Sequence, residues 1–325
     1  MISTDKALDS LPMLKLRARR LAWTLFLSFA LGACASSPQT RLLLDHPPDL
    51  PPLTELSDVP FYPQQEYHCG PAALAAIINY RGIAVKPDDI ARMVYVPELQ
   101  GSLQVEIVAA TRQFDLLPVQ LDGQLESLLR ELAAGNPVFV LQNLGIDAYP
   151  LWHYEILIGY DLEQGHMILR SGLNRRITRP FALFERTWQR ADHWALAVVD
   201  TDSIPATVDV DAYLAAVIDM EQVGRLYSAR EAYTTAVQRW PDSLLAHSGL
   251  GNSSYALGDY ESAESAYRAA LAIDPGKAEL WNNLAYALAR LGRREASLDA
   301  IGHALQLDPG NAALQDSRRE LSDWP

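Results

Sequence analysis

Val59-Pro60-Phe61-Tyr62-Pro63-Gln64-Gln65-Glu66-Tyr67-His68-Cys69-Gly70-Pro71-Ala72-Ala73-Leu74 runs from a proline-punctuated approach into the start of a helix. Proline is at home in a first helical turn, where its missing N–H has no partner to lose. The run AALAAIINYR after Pro71 is apolar enough for a buried helix, and Gly82 stands where a C-terminal cap belongs. Cys69 therefore falls at or just before a helix N-terminus. There the dipole and the free N–H groups favour a thiolate, so the spacing predicts a lowered thiol pKa and a reactive sulfur. A lone cysteine is otherwise a small buried hydrophobe, which is the competing reading.

A thiolate nucleophile needs a base that takes its proton and later returns it. The chain has seven histidines. His68 is the immediate neighbour and projects elsewhere, His46 precedes the region, and His247 and His303 fall in the repeats described below. His153, His166 and His193 remain. His153 begins WHYEILIGYDL, an apolar strand; a turn at Glu163-Gln164-Gly165 leads into a second strand, His166-Met167-Ile168-Leu169-Arg170. A histidine at the mouth of a central hairpin can face a helix N-terminus across a cleft.

A Gln shortly before Cys-Gly-Pro-Ala, then Trp-His-Tyr opening a strand that ends Ile-Gly-Tyr-Asp, resembles the cysteine peptidase family thirty-nine, the papain-like, bacteriocin-processing family, in its stand-alone branch. The resemblance spans residues 58–200 and implies an α+β domain of helices on an antiparallel sheet. It implies Cys69 as nucleophile and His153 as general base and acid. Gln64, or Gln65 beside it, would be the side-chain donor of an oxyanion hole completed by the Cys69 backbone N–H. The family places Asp or Asn at the end of the second hairpin strand to orient the histidine; this chain has Ser171 there. A hydroxyl can hold the imidazole but cannot stabilise imidazolium as a carboxylate does, which leaves Asn174 and Asp192 as substitutes. Around the pair, a helix capped by Ser102 is expected through Phe114, an amphipathic helix over 124–134 and a strand over 138–144. Trp188 and Trp194 are expected in the core, and Tyr149, Pro150 and Trp152 along the cleft.

Upstream, Lys15, Arg17, Arg19 and Arg20 precede an uncharged apolar run, Leu21 to Ala33, which closes as Leu31-Gly32-Ala33-Cys34. At helical rise that run reaches only about 20 Å, short of a bilayer core of about 30 Å, and fits a secretory signal instead. The ending resembles the bacterial lipoprotein signal, which implies cleavage after residue 33, acylation of Cys34 and a membrane anchor. Ser36 implies sorting to the outer membrane, facing the periplasm. Residues 34–57, with Pro47, Pro48, Pro51 and Pro52, are expected as an extended tether.

Downstream of a polar connector over 201–209, Pro241, Pro275 and Pro309 fall 34 residues apart. So do Gly224, Gly258 and Gly292; Ala229, Ala263 and Ser297; Tyr233, Tyr267 and Ile301; and Ala236, Ala270 and Ala304. This shared register resembles the tetratricopeptide repeat, an all-α solenoid over 210–325 that offers a surface to a protein partner. The segment reaching Leu321 is expected as a solvating helix.

The full chain has 325 residues, 49% hydrophobic and 21% charged, with a net charge of −13. The acidic balance argues against a nucleic-acid surface, and no GxxxxGK[ST] loop for a nucleotide occurs. Two cysteines make neither a disulfide framework nor a four-ligand zinc site, and nothing points to a cofactor. The expected function is an exported, lipid-anchored cysteine peptidase acting on a peptide or protein substrate. A catalytically degenerate peptide-binding scaffold and a papain-like amidase or acyltransferase on cell-wall peptides are the alternatives.

Overall fold

A computed structural model describes residues 37–63 and 68–324. Cys34, Gln64 and Gln65 lie outside the described residues.

The first domain is built on a seven-stranded sheet in which every pair is antiparallel. Its strands are β4 (Leu117–Gln120), β9 (Ala195–Val199), β5 (Val138–Asn143), β6 (Trp152–Asp161), β7 (His166–Ser171) and β8 (Asn174–Pro180), in that spatial order. A short β1 (Leu53–Glu55) continues the line of β5 beside the far half of β6. Because side chains alternate along a strand, β6 serves two cores. Tyr154, Ile156 and Ile158 face α2 (Cys69–Tyr80), α3 (Pro87–Val94) and α4 (Gln104–Arg112). Leu157 and Tyr160 face the other layer, made by α1 (Pro38–Asp45), α5 (Leu125–Ala133) and α6 (Phe181–Gln189). A two-stranded hairpin, β2 (Tyr95–Val96) and β3 (Gly101–Ser102), stands in front of α4.

The expected elements are present with trimmed ends. Ser102 does not cap α4: Leu103 holds that position, and Ser102 is spent in β3. Trp188 and Trp194 are core residues. The tether is a larger correction. Residues 38–55 contain α1 and β1 and belong to the fold. The backbone N–H groups of Gln39 and Thr40 donate to the buried carboxylate of Glu185 at 2.9 and 2.7 Å. A carboxylate on the first turn satisfies orphan donors and complements the dipole. Leu43 is buried against α5 and α6 while Leu42 and Leu44 stay exposed. The four prolines only punctuate the path between the two elements.

Three helix pairs follow: α7 (Val210–Gln222) with α8 (Leu226–Arg239), α9 (Leu244–Ala256) with α10 (Tyr260–Ile273), and α11 (Ala278–Arg290) with α12 (Arg294–Leu307). The last helix, α13 (Ala312–Ser322), closes the stack with Leu314 and Leu321. Gly224, Gly258 and Gly292 end the first helix of each pair at φ of 80, 81 and 72°, a region costly for any side chain. Packing is closest at Gly249 and Gly251, where an added Cβ would stand 2.3 and 2.4 Å from the rings of Tyr233 and Tyr267.

The 201–209 connector is no loose linker. Glu131 accepts the N–H groups of Ala206 and Thr207 at 3.1 and 2.7 Å. Leu117, Val119 and Val199 share one core with Tyr213, Leu214 and Val217 of α7, so the repeats are packed on the edge strand of the sheet. Arg112 with Asp219, at 2.6 Å, and Ser228 Oγ with Asp115, at 2.6 Å, add polar contacts across the same boundary.

Candidate active site

The sheet presents an opening where β6 begins and β7 ends. Cys69, the first residue of α2, and His153, the second of β6, line one cavity there, of about 910 Å³. The cysteine is half-buried. Its sulfur is served by the backbone N–H groups of Tyr154, Gly70 and Cys69 itself, all of which pull the thiol pKa down. The Tyr154 contact ties the sulfur to the strand position next to the histidine.

Burial nevertheless outweighs those donors and pushes the Cys69 thiol above its ordinary value. That corrects the expected lowering: a helix N-terminus favours the anion, but desolvation of the sulfur disfavours it more. Desolvation likewise pushes His153 below its ordinary value, with Glu155 opposing the shift and Arg179 assisting it. Both shifts favour the uncharged forms, thiol and neutral imidazole.

His153 is oriented by a relay. Its Nε2 lies 3.1 Å from Ser171 Oγ, and Ser171 Oγ donates to Oε1 of Glu155. A carboxylate only accepts, so the single serine proton is committed to Glu155. Ser171 can then offer Nε2 only a lone pair, which makes Nε2 the protonated nitrogen and leaves Nδ1 free to take a proton. Glu155 is fully buried, its Oε1 3.6 Å from His153 Nε2 and 3.6 Å from Arg179. Gln142 donates its amide to the other oxygen, and Thr187 donates to Gln142 in turn.

Glu155 is the residue that sequence reasoning missed. Ser171 stands between His153 and Glu155, in contact with both. Asn174 is exposed at the start of β8, and Asp192 lines the cavity with no hydrogen bond to His153 among the described residues. The available signal was strand alternation: a carboxylate two places after the base shares its face. Of the residues expected along the cleft, Pro150 and Trp152 line the cavity, whereas Tyr149 projects outside it, 80% exposed. A larger cavity, about 1250 Å³, lies between the sheet domain and the repeats, lined among others by Asp115, Asp200, Glu231 and His247, and contains no cysteine.

Residues 56–195 match the Peptidase_C39 like family. The first domain is C39-like. Residues 214–278 and 249–312 match the tetratricopeptide repeat, so a C39-like domain precedes a protein-interaction module in this chain. No curated protein matches it. Among solved structures, a C39-like peptidase from Bacillus anthracis is 20% identical over 46% of this chain and 98% of its own, with a TM-score of 0.40. The first tetratricopeptide domain of Spaghetti (RPAP3), bound to an HSP90 peptide, is 19% identical over 35% and 94%, with a TM-score of 0.34. The second such domain of human RPAP3, in complex with an HSP70 peptide, is 18% identical over 35% and 95%, with a TM-score of 0.34. The α+β domain followed by a helical solenoid is as the two resemblances implied.

Proposed function

We propose that this chain is a cysteine peptidase whose C39-like domain hydrolyses peptide bonds through Cys69 and His153, with the repeats holding a protein partner. The observation that carries this reading is the shared cavity of thiol and imidazole, with the imidazole held by Ser171 and Glu155. A buried carboxylate costs on the order of several kcal/mol in desolvation. Four side chains converge on Glu155, which is the arrangement an imidazolium needs and a passive peptide clamp does not.

In the reaction, Nδ1 of His153 takes the thiol proton as Sγ attacks the substrate carbonyl carbon. The tetrahedral oxyanion is received by the backbone N–H of Cys69, with Gln64 as its side-chain donor. His153 returns the proton to the departing amine, and a thioester remains on Cys69. Water then attacks the thioester while His153 takes its proton; collapse releases the acid and restores the thiol. Glu155 stabilises the transient imidazolium through Ser171.

The test is digestion of a defined peptide library by the full chain and by Cys69→Ala, read by mass spectrometry. New termini with the first and none with the second support the peptidase; an intact library with both rejects it.

We propose further that Cys34 is acylated and anchors the protein to the outer membrane on its periplasmic side, a reading supported by the basic segment and the Leu21–Ala33 run before it. Helix α1 starts four residues later, so the anchor would hold the catalytic domain within about 14 Å of chain length. Incorporation of labelled palmitate that persists in Cys34→Ser would reject this.

A further inference from the structure

The cavity of Cys69 has a rim that the chemistry above leaves unused. Leu99 and Leu103, from the segment before α4, line it and are 58% and 44% exposed. Leu151 and Trp152, from the segment that opens β6, line it too and are 60% and 53% exposed. Leu173 is 76% exposed and adjoins Gly172, another lining residue. Single exposed apolar side chains call for no explanation; a contiguous set around one concave opening does.

Polar side chains line the cavity too, Gln100, Gln104 and Asp192 among them, and one polar atom there is left unpaired. Ser102 Oγ is buried without a hydrogen-bond partner, and it lines the same cavity. It lies 3.1 Å from where a Cβ on Gly70 would stand, hence close to the residue after the nucleophile. A mostly apolar cleft with a few placed polar groups is the composition of a site that selects side chains by burial and fixes the main chain by hydrogen bonding.

Building on the peptidase reading, we infer that the substrate is a polypeptide segment with large apolar side chains flanking the scissile bond, its main chain hydrogen-bonded by the Ser102 hydroxyl. Leu99 and Leu103 come from one segment and Leu151 and Trp152 from another. A chain laid across the opening to present a carbonyl to Cys69 meets both. A bilayer or a flat protein face would leave the concave interior, and Ser102 within it, unfilled.

The experiment uses the full chain carrying Cys69→Ala, so that nothing is cut, and two fluorescein-labelled decapeptides read by anisotropy. They differ only in four central residues, Leu-Phe-Leu-Val in one and Ser-Asn-Ser-Thr in the other. The apolar peptide binds at least about tenfold more tightly. Leu151→Ser combined with Trp152→Ala abolishes that preference, whereas Ile273→Ser, exposed on the repeats, preserves it. Ser102→Ala weakens both peptides alike, since the hydroxyl reads main chain.

Equal affinity for the two peptides overturns the inference, as does a preference that survives the rim variant or indifference of both peptides to Ser102→Ala. Equal peptide affinity together with rim-dependent binding to phosphatidylcholine vesicles would make the rim a membrane seat instead. Failure of the peptidase reading is separable: the wild-type chain would then cut neither peptide, while binding to Cys69→Ala would still report the preference.

Discussion

The sheet domain and the repeat stack bury polarity in opposite ways. Among the described residues, every buried charged side chain, Glu131, Glu155, Arg170 and Glu185, belongs to the sheet domain. The buried polar side chains of the helix pairs are serines: Ser228, Ser253, Ser254 and Ser297. Each of the three buried carboxylates of the sheet domain is anchored by partners distant in sequence. Glu155 reaches Ser171 and Gln142, Glu185 reaches α1, and Glu131 reaches the connector. The stack instead repeats one set of contacts between neighbours, small residue against tyrosine. Buried charge is expensive and has to be matched by specific partners, so it belongs where orientation is required. Uniform apolar packing suffices for a surface that only has to hold its shape.

Cys69→Ala separates the two regions most sharply. Peptide hydrolysis is lost outright, while the thermal unfolding of the stack is unchanged by calorimetry. Glu155→Gln lowers kcat by about 10²–10⁴-fold, because an amide cannot stabilise imidazolium through Ser171. Replacing Ser171 by Asp lowers activity as well, since a second carboxylate would face Glu155; kinetics equal to wild type in either variant would remove the relay.

Two glycines then compare the regions by packing. At Gly159 an added Cβ would stand 2.1 Å from Thr54 O, so Gly159→Ala pushes β1 off β6. The expected cost is about 1–3 kcal/mol, with kcat falling too because β6, which loses that neighbour, also carries His153 and Glu155. Gly249→Ala drives a methyl into the Tyr233 ring and costs a similar amount, about 1–3 kcal/mol in calorimetry, but leaves kcat intact. A fall in kcat for Gly249→Ala would mean that the stack positions the catalytic pair.

The smallest effect is on pH dependence. Because burial raises the Cys69 thiol and lowers His153, the neutral pair persists across neutral pH. Iodoacetamide labelling should therefore stay slow at pH 7 and rise only above the ordinary thiol range of about 8.5. The kcat/KM profile should hold its plateau below about pH 6.5 and fall only as His153 protonates. Fast labelling below pH 7 that is lost in His153→Ala would indicate a preformed ion pair.

The repeat stack was legible residue by residue because its contacts are local and recur: Gly224, Gly258 and Gly292 are spaced as the turns that need them. Cys69 and His153 were legible because helix starts and apolar strands carry local signatures. The α1–β1 segment was not, since its prolines suggest extension and the carboxylate that holds it is some 145 residues away, at Glu185.

By itself the sequence determined the two-part architecture and singled out Cys69 and His153 as the proposed nucleophile and base. Which carboxylate the Ser171 hydroxyl meets was decided by the tertiary structure. Between Asp161↔His166 and Leu157↔Leu169 the β6–β7 register slips by one residue, and this bulge brings Ser171 level with Glu155, on the His153 face. A hairpin continued in the register of its turn would set Ser171 opposite Ile156, facing α2. Side-chain direction in a strand reverses with every residue, so a single unsignalled bulge selects which face receives the hydroxyl.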